Sequence, residues 1–189
     1  MNQANEVVSH KSKIYTLSRT AIMAAVICIL APLSIPIGPI PISFTNLAIY
    51  FSLYLLGWKL ATGSYITYLL IGMIGLPVFS GFTGGVAKLL GPTGGYIIGF
   101  IPMAILAGFI IDRYKNRTVQ FLGMVFGTIL CYGFGTIWFC FQTGTTFVAA
   151  LGLCVFPFIP GDLIKIIITM IVGPIIRNRL IKAGLIEES

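Results

Sequence analysis

Six long apolar runs, separated by short polar or glycine- and proline-rich stretches, constrain this chain more than any other feature of its sequence. The runs cover residues 20–37, 44–58, 60–76, 93–111, 119–141 and 163–176. A helix needs roughly 20 apolar residues to cross the hydrocarbon core of a bilayer. Only 9% of the 189 residues are charged, whereas a soluble domain carries about 25%. A soluble fold is therefore excluded, and we expect an integral membrane protein.

The runs predict an all-α integral membrane protein in which residues 1–189 form a single domain with six transmembrane helices. Residues 1–19 are a polar amino-terminal tail, and residues 77–92 are a long glycine-rich outer loop between the third and fourth helices. Prolines in residues 35–41 predict an irregular connection. Residues 147–156 are apolar but too short to cross, and we expect them to be re-entrant or to lie near the membrane surface.

The positions of the basic residues predict the orientation of these helices. The chain has 12 Lys and Arg against 5 Asp and Glu, and the bases lie at the ends of apolar runs. That placement indicates membrane topology and not nucleic-acid binding. With the amino terminus in the cytoplasm, six spans place 10 of the 12 bases inside and leave both termini cytoplasmic. The ten bases are Lys11, Lys13, Arg19, Lys59, Arg113, Lys115, Arg117, Arg177, Arg179 and Lys182.

The residue types that carry metal or covalent chemistry are sparse in this sequence. The four cysteines lie inside apolar stretches without a CxxC pair, and the only histidine, His10, is in the polar tail. We therefore expect no metal site, no disulfide framework and no cofactor. A membrane-embedded enzyme is disfavoured, because the spans contain no histidine and no evident nucleophile–base pair.

Three charges fall on the outer side of the predicted topology: Lys88, Asp162 and Lys165. Ionisable residues at membrane depth are costly and indicate function. Asp162 and Lys165 are three residues apart at the outer start of the last helix, so they share one helix face. They are candidates for an outward-facing ligand pocket. The alternative is structural, with Asp162 capping the helix and Lys165 extending outward to the interface.

Further candidates surround this pair on the outer side. Glycine lets backbone approach a ligand closely, and aromatic and polar groups together suit a small ligand with apolar and polar parts. A flexible surface loop with ordinary helix caps is the alternative. The candidates are Thr45, Asn46, Phe79, Lys88, Gly91, Pro92, Thr93, Gly94 and Tyr96. On the first span, Ala21 and Ala25 form a small-residue face on which another helix can dock, or which packs inside the bundle.

Four segments resemble the BioY family, the biotin-specific S-component of bacterial energy-coupling factor (ECF) transporters. They are residues 38–43, 75–79, 90–96 and 158–165, and the resemblance extends over about residues 15–180. The second-span motif departs from the family pattern Ile-Thr-Leu-Gln-Thr, because residues 42–46 read Ile-Ser-Phe-Thr-Asn.

The resemblance implies a substrate-binding subunit of the bacterial cell membrane. It would bind biotin at the outer face and deliver it through a membrane coupling protein and two ATPase subunits, because the chain itself has no nucleotide motif. Asp162 would accept hydrogen bonds from the ureido N–H groups. Lys165 would meet the carbonyl or the carboxylate, and Lys88 is an alternative for the carboxylate. Ala21 and Ala25 would dock on the coupling protein. A self-sufficient secondary carrier for biotin or a related vitamin is the alternative function.

Overall fold

Helices make up almost all of the regular structure in this computed structural model, which describes the backbone of residues 2–36 and 40–186 and the side chains from residue 13 onward in those ranges. The elements, in chain order, are α1 (Asn2–Leu30), β1 (Ser34–Ile35), β2 (Ile42–Ser43), α2 (Thr45–Met73), α3 (Val86–Leu90), α4 (Gly94–Arg113), α5 (Arg117–Thr143), α6 (Phe147–Cys154) and α7 (Ile159–Lys182).

The connection after α1 is irregular, as the prolines predict, and it adds one two-residue strand pair to an otherwise helical chain. The first helix ends at Leu30 and not near residue 37, because proline at position 32 lacks the N–H that would continue the helix. β1 and β2 then pair as a short antiparallel ladder, with Ser34 opposite Ser43. Gly38 and Pro39, which belong to the first of the four motifs, lie outside the described residues. At the other end, α1 already begins at Asn2, so the predicted polar tail is largely helical.

The predicted glycine-rich loop is more ordered than its composition indicates. It contains the helix α3, and an isolated bridge joins Phe79 to Thr83. The backbone N–H of Gly85 donates to the carbonyl of Gly72 over 2.7 Å, which ties the loop to the end of α2. Prediction of a loop from glycine content missed α3 because five residues of helix carry little periodic signal.

A sharp turn at Gly57 divides α2 into segments 45–56 and 58–73. Gly57 has φ 76° and ψ 168°, a conformation that is essentially restricted to glycine. The backbone N–H of Trp58 donates to Asp112 Oδ2 over 2.9 Å, which anchors the turn at the carboxyl end of α4. A Cβ at Gly57 would lie 3.0 Å from that carboxylate oxygen.

The two segments of α2 run in opposite directions along α4. Before the turn, the Tyr50 hydroxyl contacts Met103 in the middle of α4. After the turn, the Tyr65 hydroxyl donates to the Ile97 carbonyl near the amino end of α4 over 2.7 Å. The chain therefore approaches the carboxyl end of α4 and leads away again, and the break coincides with the predicted boundary between the second and third apolar runs.

In the described part of the chain, four helices are long and apolar enough to cross a membrane by length and composition. They are 13–30 within α1, and α4, α5 and α7 in full. Within α7, Pro174 lacks the backbone N–H that would donate a helical hydrogen bond to the carbonyl of Met170, four residues earlier. The Arg117 guanidinium of α5 donates to that carbonyl over 2.8 Å, so a charged donor replaces the missing helical one.

Candidate ligand-binding site

A cavity of about 70 Å³ lies where the amino ends of α2, α4 and α7 meet the middle of α5. Much of its polar lining comes from the starts of α2 and α7, and the rest of its lining is largely aromatic. The polar lining residues include Thr45, Asn46, Tyr132, Asp162 and Lys165, and the aromatic ones are Tyr65, Tyr68, Tyr96, Phe100 and Phe158. Such a combination of apolar walls with few convergent polar groups is typical of small-molecule sites.

A buried ion pair forms the centre of the polar wall. Lys165 Nζ lies 3.0 Å from Asp162 Oδ1, and the two side chains are only 9% and 11% exposed. The other carboxylate oxygen, Asp162 Oδ2, accepts a hydrogen bond from the Tyr132 hydroxyl over 2.6 Å. The residue at the N-cap position of α7 is Phe158, so Asp162 lies inside the first turn. Lys165 points inward and not toward the interface.

Lys165 also joins α7 to the start of α2. Its ammonium donates to the backbone carbonyl of Ser43 over 2.8 Å and to Asn46 Oδ1 over 3.0 Å. Asn46 is 3% exposed and Thr45 4%, and the Thr45 hydroxyl lies 2.9 Å from that of Ser43. The short β1–β2 ladder and the first turn of α2 therefore position Ser43 and Asn46 beside the ion pair.

Aromatic rings that line the cavity contact each other edge-to-face and at a tilt, and together form its aromatic wall. The ring of Tyr65 lies 5.9 Å from Phe100 at 76° and 5.4 Å from Tyr68 at 39°. Tyr96 is held by a close fit, because a Cβ at Gly135 would overlap its ring. Rings packed in this way present apolar faces and edges to the cavity.

The comparisons with known proteins decide the family. The BioY family model matches residues 2–182. The chain belongs to the BioY family. Its relatives include "Biotin transporter BioY2" of Lactococcus lactis, 37% identical over 86% of this chain and 90% of that protein. "Biotin transporter BioY" of Thermotoga maritima is 34% identical over 83% of this chain and 92% of that one.

A solved structure supports the same assignment. It is the crystal structure of the S-component for biotin from an ECF-type ABC transporter, and its TM-score with this BioY-family chain is 0.81. The two sequences are 37% identical, and the match covers 89% of this chain and 93% of that one. The resemblance expected from the four motifs is thereby confirmed at the level of the family and of the fold.

Some of the residues predicted for the site are in the cavity wall of this BioY-family chain, and some are not. Asp162, Lys165, Thr45, Asn46, Thr93 and Tyr96 line the cavity. Phe79, Lys88, Gly91, Pro92 and Gly94 are outside its lining. Phe79 is fully buried and packs edge-on against Tyr68 at 5.6 Å, so it supports the aromatic wall from behind.

Two other candidates, Gly91 and Lys88, lie in the loop between the second segment of α2 and α4. The carbonyl of Gly91 accepts a hydrogen bond from the Trp138 indole over 2.9 Å, which fixes the loop to α5. Lys88 lies in α3, and partial burial lowers the pKa of its ammonium. Neither group is in the cavity lining.

Sequence reasoning missed Tyr132, whose hydroxyl makes the shortest contact to Asp162. A signal was present in the sequence. Thr128, Tyr132 and Thr136 recur every four residues inside the apolar run of α5, so they share one helix face. Thr128 and Tyr132 both line the cavity. A polar stripe inside an apolar span indicates that this face of the helix is turned toward a polar site and not toward lipid.

Ala21 and Ala25 are exposed on α1. Ile22 and Ile29 on the same helix are 65% and 67% exposed. The small-residue pair is therefore not covered within the bundle, which leaves it available to another helix. Its role in docking on a coupling protein stays a prediction.

Proposed function

We propose that this BioY-family chain is the biotin-binding S-component of an ECF-type transporter. The observation that carries the proposal is the buried Asp162–Lys165 pair with its Tyr132 partner, placed in an aromatic-walled cavity. Biotin matches this surface, because its ureido ring offers N–H donors and a carbonyl acceptor while its thioether ring is apolar. The relatives named as biotin transporters, and the solved biotin S-component, support the same ligand.

We propose six membrane spans with both termini in the cytoplasm. The spans are α1, the two segments of α2, α4, α5 and α7. The reversal at Gly57 supports counting α2 twice, and α6 has only eight residues, about 12 Å of helix against a hydrocarbon core of about 30 Å. This arrangement places Asp162 and Lys165 near the outer face and 10 of the 12 basic residues inside.

The partners follow from the same proposal. A membrane coupling protein would dock on the exposed Ala21–Ala25 face, and two ATPase subunits would supply the energy. Biotin would bind at the outer face, and the complex would release it inward. ATP-driven uptake would require such partners, because the sequence has no nucleotide-binding motif. No cofactor of its own is required.

The decisive experiment is mass spectrometry of small molecules released from the purified protein, combined with biotin titration of the washed protein. We expect biotin to be released, and to rebind with one site per chain. Recovery of a different vitamin, or no saturable binding of biotin, would overturn the proposal.

Uptake of labelled biotin separates a partner-dependent subunit from a self-sufficient carrier. We expect accumulation against a gradient only in cells that also express an ECF coupling protein and its ATPases. Equal accumulation in cells without the module would assign transport to this chain alone. Cells that carry an empty vector with the same module provide the background.

A further inference from the structure

A second cavity, which we call the lateral groove, lies on the side of the bundle. It is formed by residues within 125–136 of α5, 147–155 of α6 and 159–166 of α7. Its volume is about 470 Å³, within the range of about 300–1,000 Å³ typical of ligand pockets. Ile129 of α5 and Leu163 of α7 are 55% and 37% exposed, whereas Ile166 is fully buried. Exposed apolar side chains on spanning helices meet lipid tails, so the lateral groove opens toward the bilayer.

The polar side chains that line the lateral groove are engaged within the protein. The Thr128 hydroxyl donates to a backbone carbonyl of its own helix over 2.8 Å, and the Thr136 hydroxyl lies 3.2 Å from a tyrosine hydroxyl. Tyr132 donates to Asp162. Apart from Gly133, the remaining lining residues carry hydrocarbon side chains. Polar groups buried without new hydrogen bonds are costly, so the groove suits an apolar occupant.

The centre of the lateral groove is open because residue 133 is glycine. A Cβ at Gly133 would meet no atom within 4 Å in the part of the chain that the structure describes. Other glycines of α5 allow close packing, since a Cβ at Gly123 or Gly135 would press into a neighbouring side chain. A glycine inside a helix costs about 0.5–1 kcal/mol relative to alanine. At Gly133 that cost leaves a space which the described chain does not fill.

The dimensions of the lateral groove match an acyl chain. Along α5 its lining extends from Val125 to Thr136, about 16 Å of helix, and one leaflet of the hydrocarbon core is about 15 Å thick. These residues lie in the middle of α5, at the depth of the hydrocarbon core. A partner helix fits less well, because one turn with a diameter of about 10–12 Å occupies about 400–600 Å³. The groove would hold scarcely one such turn.

We propose that the lateral groove is a binding site for one acyl chain of a membrane lipid. The acyl chain lies along α5 over Gly133 and occupies the space that a side chain would otherwise fill. Thr128, Tyr132 and Asp162 line both the lateral groove and the ligand cavity. The bound acyl chain therefore covers the lipid-facing side of this shared wall and closes the ligand cavity toward the bilayer. The site goes beyond the proposed function and is the same for any ligand of the cavity.

Photolabelling tests the site. The protein is reconstituted into vesicles of phosphatidylethanolamine and phosphatidylglycerol with a trace of phosphatidylcholine that carries a diazirine in one acyl chain. Mass spectrometry maps the labelled residues after irradiation. Ile22 and Ile29 on α1, which are 65% and 67% exposed, report ordinary contact with the bilayer. We expect the lateral groove to be labelled more strongly than this face of α1. In Gly133→Leu we expect groove labelling to fall about tenfold, because the tethered leucine side chain competes for the same space.

Gly152→Leu is the matched control. A Cβ at Gly152 of α6 would also meet no described atom within 4 Å, but this residue is outside the groove lining, and we expect labelling equal to wild type. If Gly133→Leu does not fold, Leu151→Phe fills the groove from α6 and takes its place.

Three results would overturn the proposal. Groove labelling no stronger than that of the α1 face, or unchanged when the groove is filled, would leave only ordinary contact with lipid. Loss of groove labelling when biotin saturates the protein would assign the groove to the ligand. Loss on raising the amount of protein per vesicle would assign it to a second copy of the chain.

Discussion

Removal of one hydroxyl, in Tyr132→Phe, isolates the contribution of the contact to Asp162. The O–H of Tyr132 donates to the carboxylate over 2.6 Å, and a hydrogen bond to a charged group contributes about 1.5–3 kcal/mol. Without that hydroxyl, Asp162 Oδ2 accepts a hydrogen bond from water in the ligand-free cavity. The ligand must then displace the water and reorient the Asp162 carboxylate. Because a tenfold change in affinity is about 1.4 kcal/mol, we expect biotin to bind about 10- to 100-fold more weakly. Calorimetric titration of the purified variant measures this change.

Tyr96→Phe provides the matched control, since Tyr96 also lines the cavity and loses the same atom. Its hydroxyl lies 3.2 Å from the Thr136 hydroxyl and 3.3 Å from the Cys154 carbonyl. These neutral partners are worth about 0.5–1.5 kcal/mol, so we expect a loss of less than about tenfold in affinity. If Tyr132→Phe binds biotin within twofold of wild type, or no more weakly than Tyr96→Phe, the reasoning on Asp162 is refuted.

The other predictions concern the ion pair, the docking face and the turn. Asp162→Asn leaves a buried ammonium without its counter-charge, and we expect biotin affinity in titrations to fall by well over tenfold; affinity equal to wild type would remove Asp162 from the site. Replacing Ala21 and Ala25 together by Trp should abolish uptake in cells with the energising module while binding persists, and surviving uptake would place the docking face elsewhere. Gly57→Ala adds a Cβ 3.0 Å from the Asp112 carboxylate. It also forces alanine into a backbone conformation that costs about 1–3 kcal/mol for any residue other than glycine. We expect a lower melting temperature in detergent, and an unchanged one would contradict the strain at the turn.

The sequence alone predicted that Asp162 and Lys165 lie side by side, because local spacing determines it. Asp162 and Lys165 are three residues apart on one helix, and any helix places such side chains on the same face. The charge distribution along the chain also separated these two residues from the basic groups at the span ends. One of the four motifs that carry the family resemblance, residues 158–165, contains both residues.

The remaining contacts depend on packing between distant parts of the chain. Lys165 meets Asn46 across 119 positions, and Tyr132 meets Asp162 across 30, which no local pattern specifies. The glycine-rich loop shows a second limit of sequence reasoning. Its glycines allow close packing against neighbouring backbone, as at Gly84, where a Cβ would overlap the Leu76 carbonyl. Composition could not distinguish that packing role from contact with a ligand.

The contact of Arg117 with the Met170 carbonyl has a mechanical consequence. Together with the contact of Tyr132 with Asp162, it clamps α5 to α7 at two separate levels. Sliding of one helix past the other would break a charged hydrogen bond at each level simultaneously. Both contacts therefore resist sliding of α5 against α7, one beside the cavity and one beside Pro174, where α7 lacks a helical hydrogen bond of its own.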